Sequence, residues 1–205
     1  MFYAFARFIA FLLFKVFFRL RIFGRENFPE AGPVIIAPNH VSFLDPIIVG
    51  VGASRKLSYL ARGTLFRFGP FAGILRWLHV SPIKRGSGDI NAFKSALNKL
   101  SKGEPVLIFP EGTRSGDGSL QEPKSGIGFL QNISKACILP CYVRGSMEAW
   151  PRHSKFPAIR PVSIYFGKPM NFEQFTGDRK EGYMRIAEQV MKVIAELKRD
   201  ADKNS

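Results

Sequence analysis

Three short apolar runs constrain this chain most: PVIIAPN at 33–39, PVLIFP at 105–110 and CILPCYV at 137–143. None of them alternates polar with apolar residues, so each predicts a strand buried on both faces, as in a sheet covered by helices. Weaker strand signals lie at 57–61, 79–83 and 162–167, and broken helical turns at 71–78. Helical periodicity fills the gaps. Asp45 and Pro46 read as N-cap and first helical residue before IIVGVGA. Asp89 reads as the cap of a helix with Ile90, Phe93, Ala96, Leu97 and Leu100 on one face, ended by Gly103. A further helix is expected over 125–135, and a last one from 179, with Asp178 and Glu181 at capping-box spacing and Ile186, Val190, Val193 and Leu197 along one stripe.

This order predicts an α/β fold, a single-domain sandwich with a mostly parallel or mixed central sheet flanked by helices. A chain of 205 residues is long enough for one core, and no repeat or Gly/Ser/Pro-rich linker divides it. The expected organisation is a membrane-associating helix over 1–23, a domain over 24–200 and a charged tail over 201–205.

The first 23 residues, MFYAFARFIAFLLFKVFFRLRIF, are rich in phenylalanine and leucine but interrupted by Arg7, Lys15, Arg19 and Arg21. No uncharged stretch there approaches the ~20 residues that cross a bilayer, and no small-residue cleavage site follows. At about 100° per residue, Arg7, Lys15 and Arg19 gather on one side of a helix. The pattern predicts an amphipathic helix in a membrane interface, its basic side chains reaching lipid phosphates. The formal net charge of +14 also points to an anionic partner. Cys137 and Cys141, inside an apolar run, read as core thiols in a reducing compartment. Together these features place the chain on a membrane at its cytoplasmic face.

In α/β folds ligands collect at loops beyond the carboxyl ends of strands. Two such loops stand out, NHVSFLDP at 39–46 and FPEGTRSGDGS at 109–119. His40 and Asp45 lie five residues apart, about 140° round a continuous helix, so they meet only if the chain turns between them. Meeting, they form a base and its orienting carboxylate, with no serine or cysteine nucleophile beside them. The missing member is then a hydroxyl of the substrate. In the second loop, glycines permit tight turns that present backbone N–H groups to phosphate, Arg114 adds a bidentate donor, and Glu111 either holds that guanidinium or accepts a hydroxyl. No P-loop, dinucleotide fingerprint, nucleophile elbow or HExxH is present, and the three histidines and two cysteines make no zinc set. Neither metal nor cofactor is required.

Residues 39–45 resemble the NHxSxxD block, and residues 109–115 the FPEGTRS block, of glycerolipid acyltransferases of the 1-acylglycerol-3-phosphate acyltransferase type. The stretch ARGTLFRFGPFAGILRWLHVSPIKRG at 61–86 resembles that family's second block, with Arg62, Pro70, Gly73 and Arg85 at matching positions. ILPCYVRG, with Pro140 at its centre, is similar to the fourth. Lys84 departs from the acidic residue frequent before Arg85. The resemblance spans about 25–170 and implies transfer of an acyl group from acyl-CoA or acyl carrier protein to the sn-2 hydroxyl of a lysophospholipid. His40 is implied as the base and Asp45 as its orienter, with Arg85, Glu111, Gly112, Thr113 and Arg114 binding the acceptor's glycerol phosphate. Lys124 joins them by its place before the next helix, and backbone N–H groups near His40 or at 111–115 are expected to hold the tetrahedral oxyanion.

Between Asp45 and Asp89 there is no acidic residue, while arginines and lysines from Arg55 to Arg85 alternate with aromatics. That suits an anionic lipid surface and an acidic or phosphorylated donor. A nucleic-acid partner is not expected, since such a protein predicts basic residues on one helix or stripe without a Phe-rich N-terminal helix or the paired loops. Two readings stay open beside the main one: a different lysophospholipid or lyso-aminolipid acceptor, and a non-catalytic, membrane-docked acyl-binding protein.

Overall fold

The computed structural model describes residues 2–62, 80–83, 88–151, 154, 156–173 and 179–203. The turns read at 71–78, the cap at Asp178 and the basic positions Lys84 and Arg85 lie outside the described residues, as does the side chain of Arg62.

Helix α1 (Phe2–Phe17) leads into strand β1 (Arg21–Phe23), a 3-10 turn (Arg25–Asn27), β2 (Val34–Pro38), α2 (Asp45–Gly52), β3 (Ser58–Arg62) and β4 (Val80–Ile83). Then come α3 (Gly88–Leu100), β5 (Val106–Leu107), α4 (Gly126–Ser134), β6 (Cys137–Arg144), α5 (Ser146–Ala149), β7 (Ser163–Phe166) and α6 (Arg179–Lys203). The sheet is mixed and seven-stranded, in the order β1-β7-β6-β2-β5-β3-β4. Five neighbouring strands from β6 to β4 run parallel, while β7 pairs antiparallel with β6 and carries β1 parallel to itself at the edge.

The unbroken apolar runs explain the layering. Successive residues of β2 point to opposite faces, and all five are buried. Val34 and Ile36 pack with α1 and α2, whereas Ile35 and Ala37 pack with α3, α4 and α6. Each strand residue therefore serves one of two cores. On the second face, α4 meets α6 closely because Gly128 has no side chain where the Tyr183 backbone passes.

Several expectations shift. β5 spans only Val106–Leu107, because Pro105 and Pro110 bracket it, although the Ile108 N–H still reaches the Ile36 carbonyl at 2.9 Å. Asp89 falls within the first turn of α3 instead of capping it, and Ile90 is exposed. Ile90 stands about 80° round the helix from Leu100, at the rim of the stripe. The last helix continues through Lys203 with Ala201 buried, so residues 201–203 extend it and do not form a tail. Arg19 is not on α1. It adopts a left-handed conformation (φ 46°) just past the helix end, and the Leu20 N–H returns to the Phe14 carbonyl.

Helix α1 divides its apolar residues between two environments. Phe14 is buried and packs with Ala10, Phe11 and Phe18 in the core beside α2, while Phe5, Phe8, Leu12, Leu13, Val16 and Phe17 are exposed. Among the described residues, no helix is long and apolar enough to cross a membrane.

Candidate active site

Strands β2 and β5 are parallel neighbours with Ile35 opposite Val106 and Ile36 opposite Leu107, so the loops that follow them emerge on the same edge of the sheet. The first loop opens with Asn39, whose buried amide donates to the Val143 carbonyl (3.1 Å) and accepts from the Val143 N–H (2.7 Å). That side chain continues the β2–β6 ladder after β2 has ended, and it fixes where His40 begins.

Asp45 was expected to cap α2. Instead it is the first residue of that helix, Leu44 holds the cap position, and the carboxylate folds back on the preceding turn. Its Oδ2 accepts from the N–H groups of Val41 and Ser42, both at 2.7 Å, and meets His40 Nδ1 at 2.9 Å. An oxygen that already accepts two N–H bonds is an acceptor toward the ring as well, so Nδ1 carries the hydrogen and Nε2 presents its lone pair. Asp45 is fully buried, while the imidazole keeps 17% of its surface open. The ring stacks on Phe109 of the second loop, centroids 3.7 Å apart.

Glu111 joins the two loops. Its Oε1 accepts the His40 N–H (2.7 Å) and its Oε2 the Gln121 N–H (2.9 Å). Burial raises the Glu111 carboxyl above its ordinary value and Asp45 pushes the same way, opposed by those two N–H bonds. The Ser115 N–H closes the contact by donating to the His40 carbonyl at 2.8 Å.

Arg114 crosses to the first loop, its guanidinium 3.7 Å from the centre of the Phe43 ring. Gly112 has φ 68°, a conformation that favours glycine, and a Cβ added there would stand 2.9 Å from Cδ of Lys124, whose side chain lies across this turn. The Lys124 N–H is tied to the Pro110 carbonyl at 2.9 Å. Thr113 is exposed, and Arg85 lies outside the described residues, though β4 ends at Ile83 on this edge. The structure thus gathers His40, Asp45, Glu111, Gly112, Arg114 and Lys124 at one place.

Two features of the site were not read from the sequence. One is the Asn39 clamp, hinted at only by an amide ending an apolar strand, where a buried polar group needs partners. The other is the contact of Ser42 with a distant loop: its hydroxyl donates to the Trp150 carbonyl (2.6 Å), and Ser42 bridges Pro151. The serine hydroxyls nearest in sequence to this chemistry are engaged elsewhere, Ser42 with Trp150 and Ser115 with Asp117 (2.8 Å). The expectation of backbone oxyanion donors near His40 also changes, because the N–H groups of His40, Val41 and Ser42, like those of Gly112 and Ser115, are all taken up within the protein.

The sequence model of the Acyltransferase family matches residues 19–144. The 1-acyl-sn-glycerol-3-phosphate acyltransferase of Bacillus subtilis (strain 168) is 25% identical over 185 residues, covering 89% of this chain and 90% of that protein. The chloroplastic 1-acyl-sn-glycerol-3-phosphate acyltransferase LPAT1 of Arabidopsis thaliana is 28% identical over 142 residues, which are 68% of this chain but only 40% of the plant protein. The crystal structure of the 1-acyl-sn-glycerophosphate acyltransferase PlsC from Thermotoga maritima superposes with a TM-score of 0.72 at 22% identity, covering 94% of this chain and 81% of that one, and so shares the fold. With more than half of its length matched and the two blocks brought together at one sheet edge, this chain belongs to the Acyltransferase family and is an acyltransferase.

Proposed function

We propose that the chain transfers a fatty acyl group from an acyl thioester to the sn-2 hydroxyl of 1-acylglycerol 3-phosphate, giving phosphatidate, with His40 as general base. The observation that carries this reading is the imidazole held through Nδ1 by a fully buried carboxylate, while the neighbouring serines point their hydrogens elsewhere. Nε2 takes the proton of the acceptor hydroxyl as its oxygen attacks the thioester carbonyl, and Asp45 stabilises the imidazolium. Collapse of the tetrahedral intermediate breaks the C–S bond, and the thiolate leaves with the proton from His40. No enzyme ester forms.

The activities for which the relatives are named support 1-acylglycerol 3-phosphate as the acceptor over another lysophospholipid. Arg114, Lys124, Thr113, Arg85 and the turn at Gly112 hold its phosphate, and Glu111 shapes that cradle by fixing the backbone at His40 and Gln121. The donor is acyl-CoA or acyl carrier protein, used as a co-substrate, with no metal or cofactor. The exposed face of α1, rich in phenylalanine and leucine, rests on an anionic membrane at the cytoplasmic side.

The test is turnover by purified protein with anionic vesicles, an acyl-CoA and lysophosphatidate, following thiol release and phosphatidate together, with His40→Ala in parallel. Phosphatidate from the wild type alone is expected. Thiol release without phosphatidate would mean thioester hydrolysis and overturn the transfer reading.

A further inference from the structure

The loop between α5 and β7, residues 150–161, has no part in the reading above, yet it carries the most exposed large apolar side chain among the described residues. Phe156 is 79% exposed and Ile159 68% exposed. Hydrogen bonds tie the described residues of the loop to one another. The Ala158 N–H bonds the Ala149 carbonyl at 2.7 Å, the Ser154 hydroxyl bonds the Phe156 carbonyl at 2.7 Å, and the Trp150 indole N–H bonds the Ser154 carbonyl at 3.1 Å. Pro151, Pro157 and Pro161 restrict the chain further.

We infer that this loop is a second membrane-contact element, inserting Phe156 and Ile159 into an anionic lipid surface beside α1. Charge names the occupant. Between Glu148 and Glu173 the sequence contains no acidic residue, while Arg152, Lys155, Arg160 and Lys168 fall within that stretch. Two apolar side chains with only cations as charged neighbours in sequence match a headgroup layer, where the phenyl and sec-butyl groups enter the acyl boundary and the cations meet phosphates.

Position supports the same occupant. The Val162 N–H donates to the Phe18 carbonyl at 2.9 Å, directly after the exposed Val16 and Phe17, so the loop ends where the apolar face of α1 ends. At its other end, Trp150 and Pro151 hold Ser42, and the Trp150 ring lies 5.5 Å from that of Phe43, which itself carries Arg114. The two ends of the loop therefore lie at the α1 surface and at the turn bearing His40. Lipid contact at Phe156 and Ile159 would set how far that turn stands from the bilayer.

The placement beside a lipid surface rests on the proposed membrane role of α1, and the experiment keeps the two apart. Full-length wild type, Phe156→Ser/Ile159→Ser and Leu13→Ser/Val16→Ser are sedimented with phosphatidylglycerol/phosphatidylcholine vesicles and with phosphatidylcholine vesicles alone. The loop variant is expected to partition about tenfold more weakly onto the anionic vesicles. Its thermal unfolding should match wild type, because both side chains project into solvent, and so should its turnover of a short-chain, water-soluble lysophosphatidate.

Wild-type partition by the loop variant together with release of the α1 variant would overturn the inference and leave the α1 reading standing. The reverse result would uphold the loop and remove α1. Equal binding of wild type to neutral and anionic vesicles would overturn the charge argument. A loop variant that drops in mass by light scattering while still binding vesicles would assign the patch to a second copy of the chain, which also overturns it.

Discussion

The loop after β2 and the loop after β5 are both organised by a carboxylate, and the two carboxylates work in opposite surroundings. Asp45 is fully buried, and one of its oxygens gathers two backbone N–H groups and the His40 ring. Asp117 is exposed, and its Oδ1 collects the Ser115 and Ser119 hydroxyls and the Ser119 N–H, which together hold its carboxyl down at about 2. The first arrangement fixes the imidazole against the Phe109 ring. The second shapes an exposed turn, where solvent already stabilises the charge. Removing the first should therefore act on chemistry, and removing the second on little more than the local turn.

The largest effect should come from His40→Ala, which is expected to lower kcat by roughly 10²- to 10⁴-fold with an unchanged melting temperature. Steady-state turnover alongside a thermal melt checks it, and near-normal turnover would end the base role. Asp45→Asn comes next. It leaves one acceptor oxygen for several donors, so a kcat loss of about 10²-fold or more is expected together with lower stability. The double variant should be no worse than His40→Ala alone, because the two residues act as one unit. Full additivity would break the comparison.

Arg114→Ala should act on the acceptor. Losing a charge-assisted contact of about 1.5–3 kcal/mol predicts a KM for lysophosphatidate raised roughly 10- to 100-fold with kcat less affected. An unchanged KM would take Arg114 out of the cradle. Asp117→Asn should have the smallest effect, confined to acid. Well above pH 3.8 the carboxylate is ionised in folded and unfolded chains alike, and its contribution is fully present. As the pH falls from 3.8 towards about 2, the unfolded chain takes up the proton first and that contribution drains away. Urea midpoints at pH 5 and pH 3 should therefore differ less in Asp117→Asn than in wild type. An equal acid loss in both would show that the turn does not depend on this carboxylate.

The sheet was legible because unbroken apolar runs such as 33–39 and 137–143 leave few alternatives to a doubly covered strand. His40 and Asp45 were legible because both residues with the chemistry lie in one short loop, five positions apart. Their geometry was less so. Spacing alone made Asp45 a cap for the helix after it, whereas its bonds run to the residues before it, since Val41 and Ser42 present their N–H groups inward. Asn39 and Ser42 take their meaning from Val143 and Trp150, more than a hundred residues away, and no local pattern encodes such a pairing. Helix α1 shows the same limit: periodicity revealed a broad apolar face but not that half of it packs on α2 and Phe18 while the other half stays outside.

That helix is joined to β1 by only three residues, 18–20, and β1 is locked in register along β7 from Arg21–Ser163 to Phe23–Tyr165. In mechanical terms α1 is a bracket and not a leash. A domain mounted in this way has no slack against its first helix. On the proposed lipid surface the site would travel with that helix as one rigid body, meeting each new acceptor by sliding or by waiting for the acceptor to diffuse beneath it.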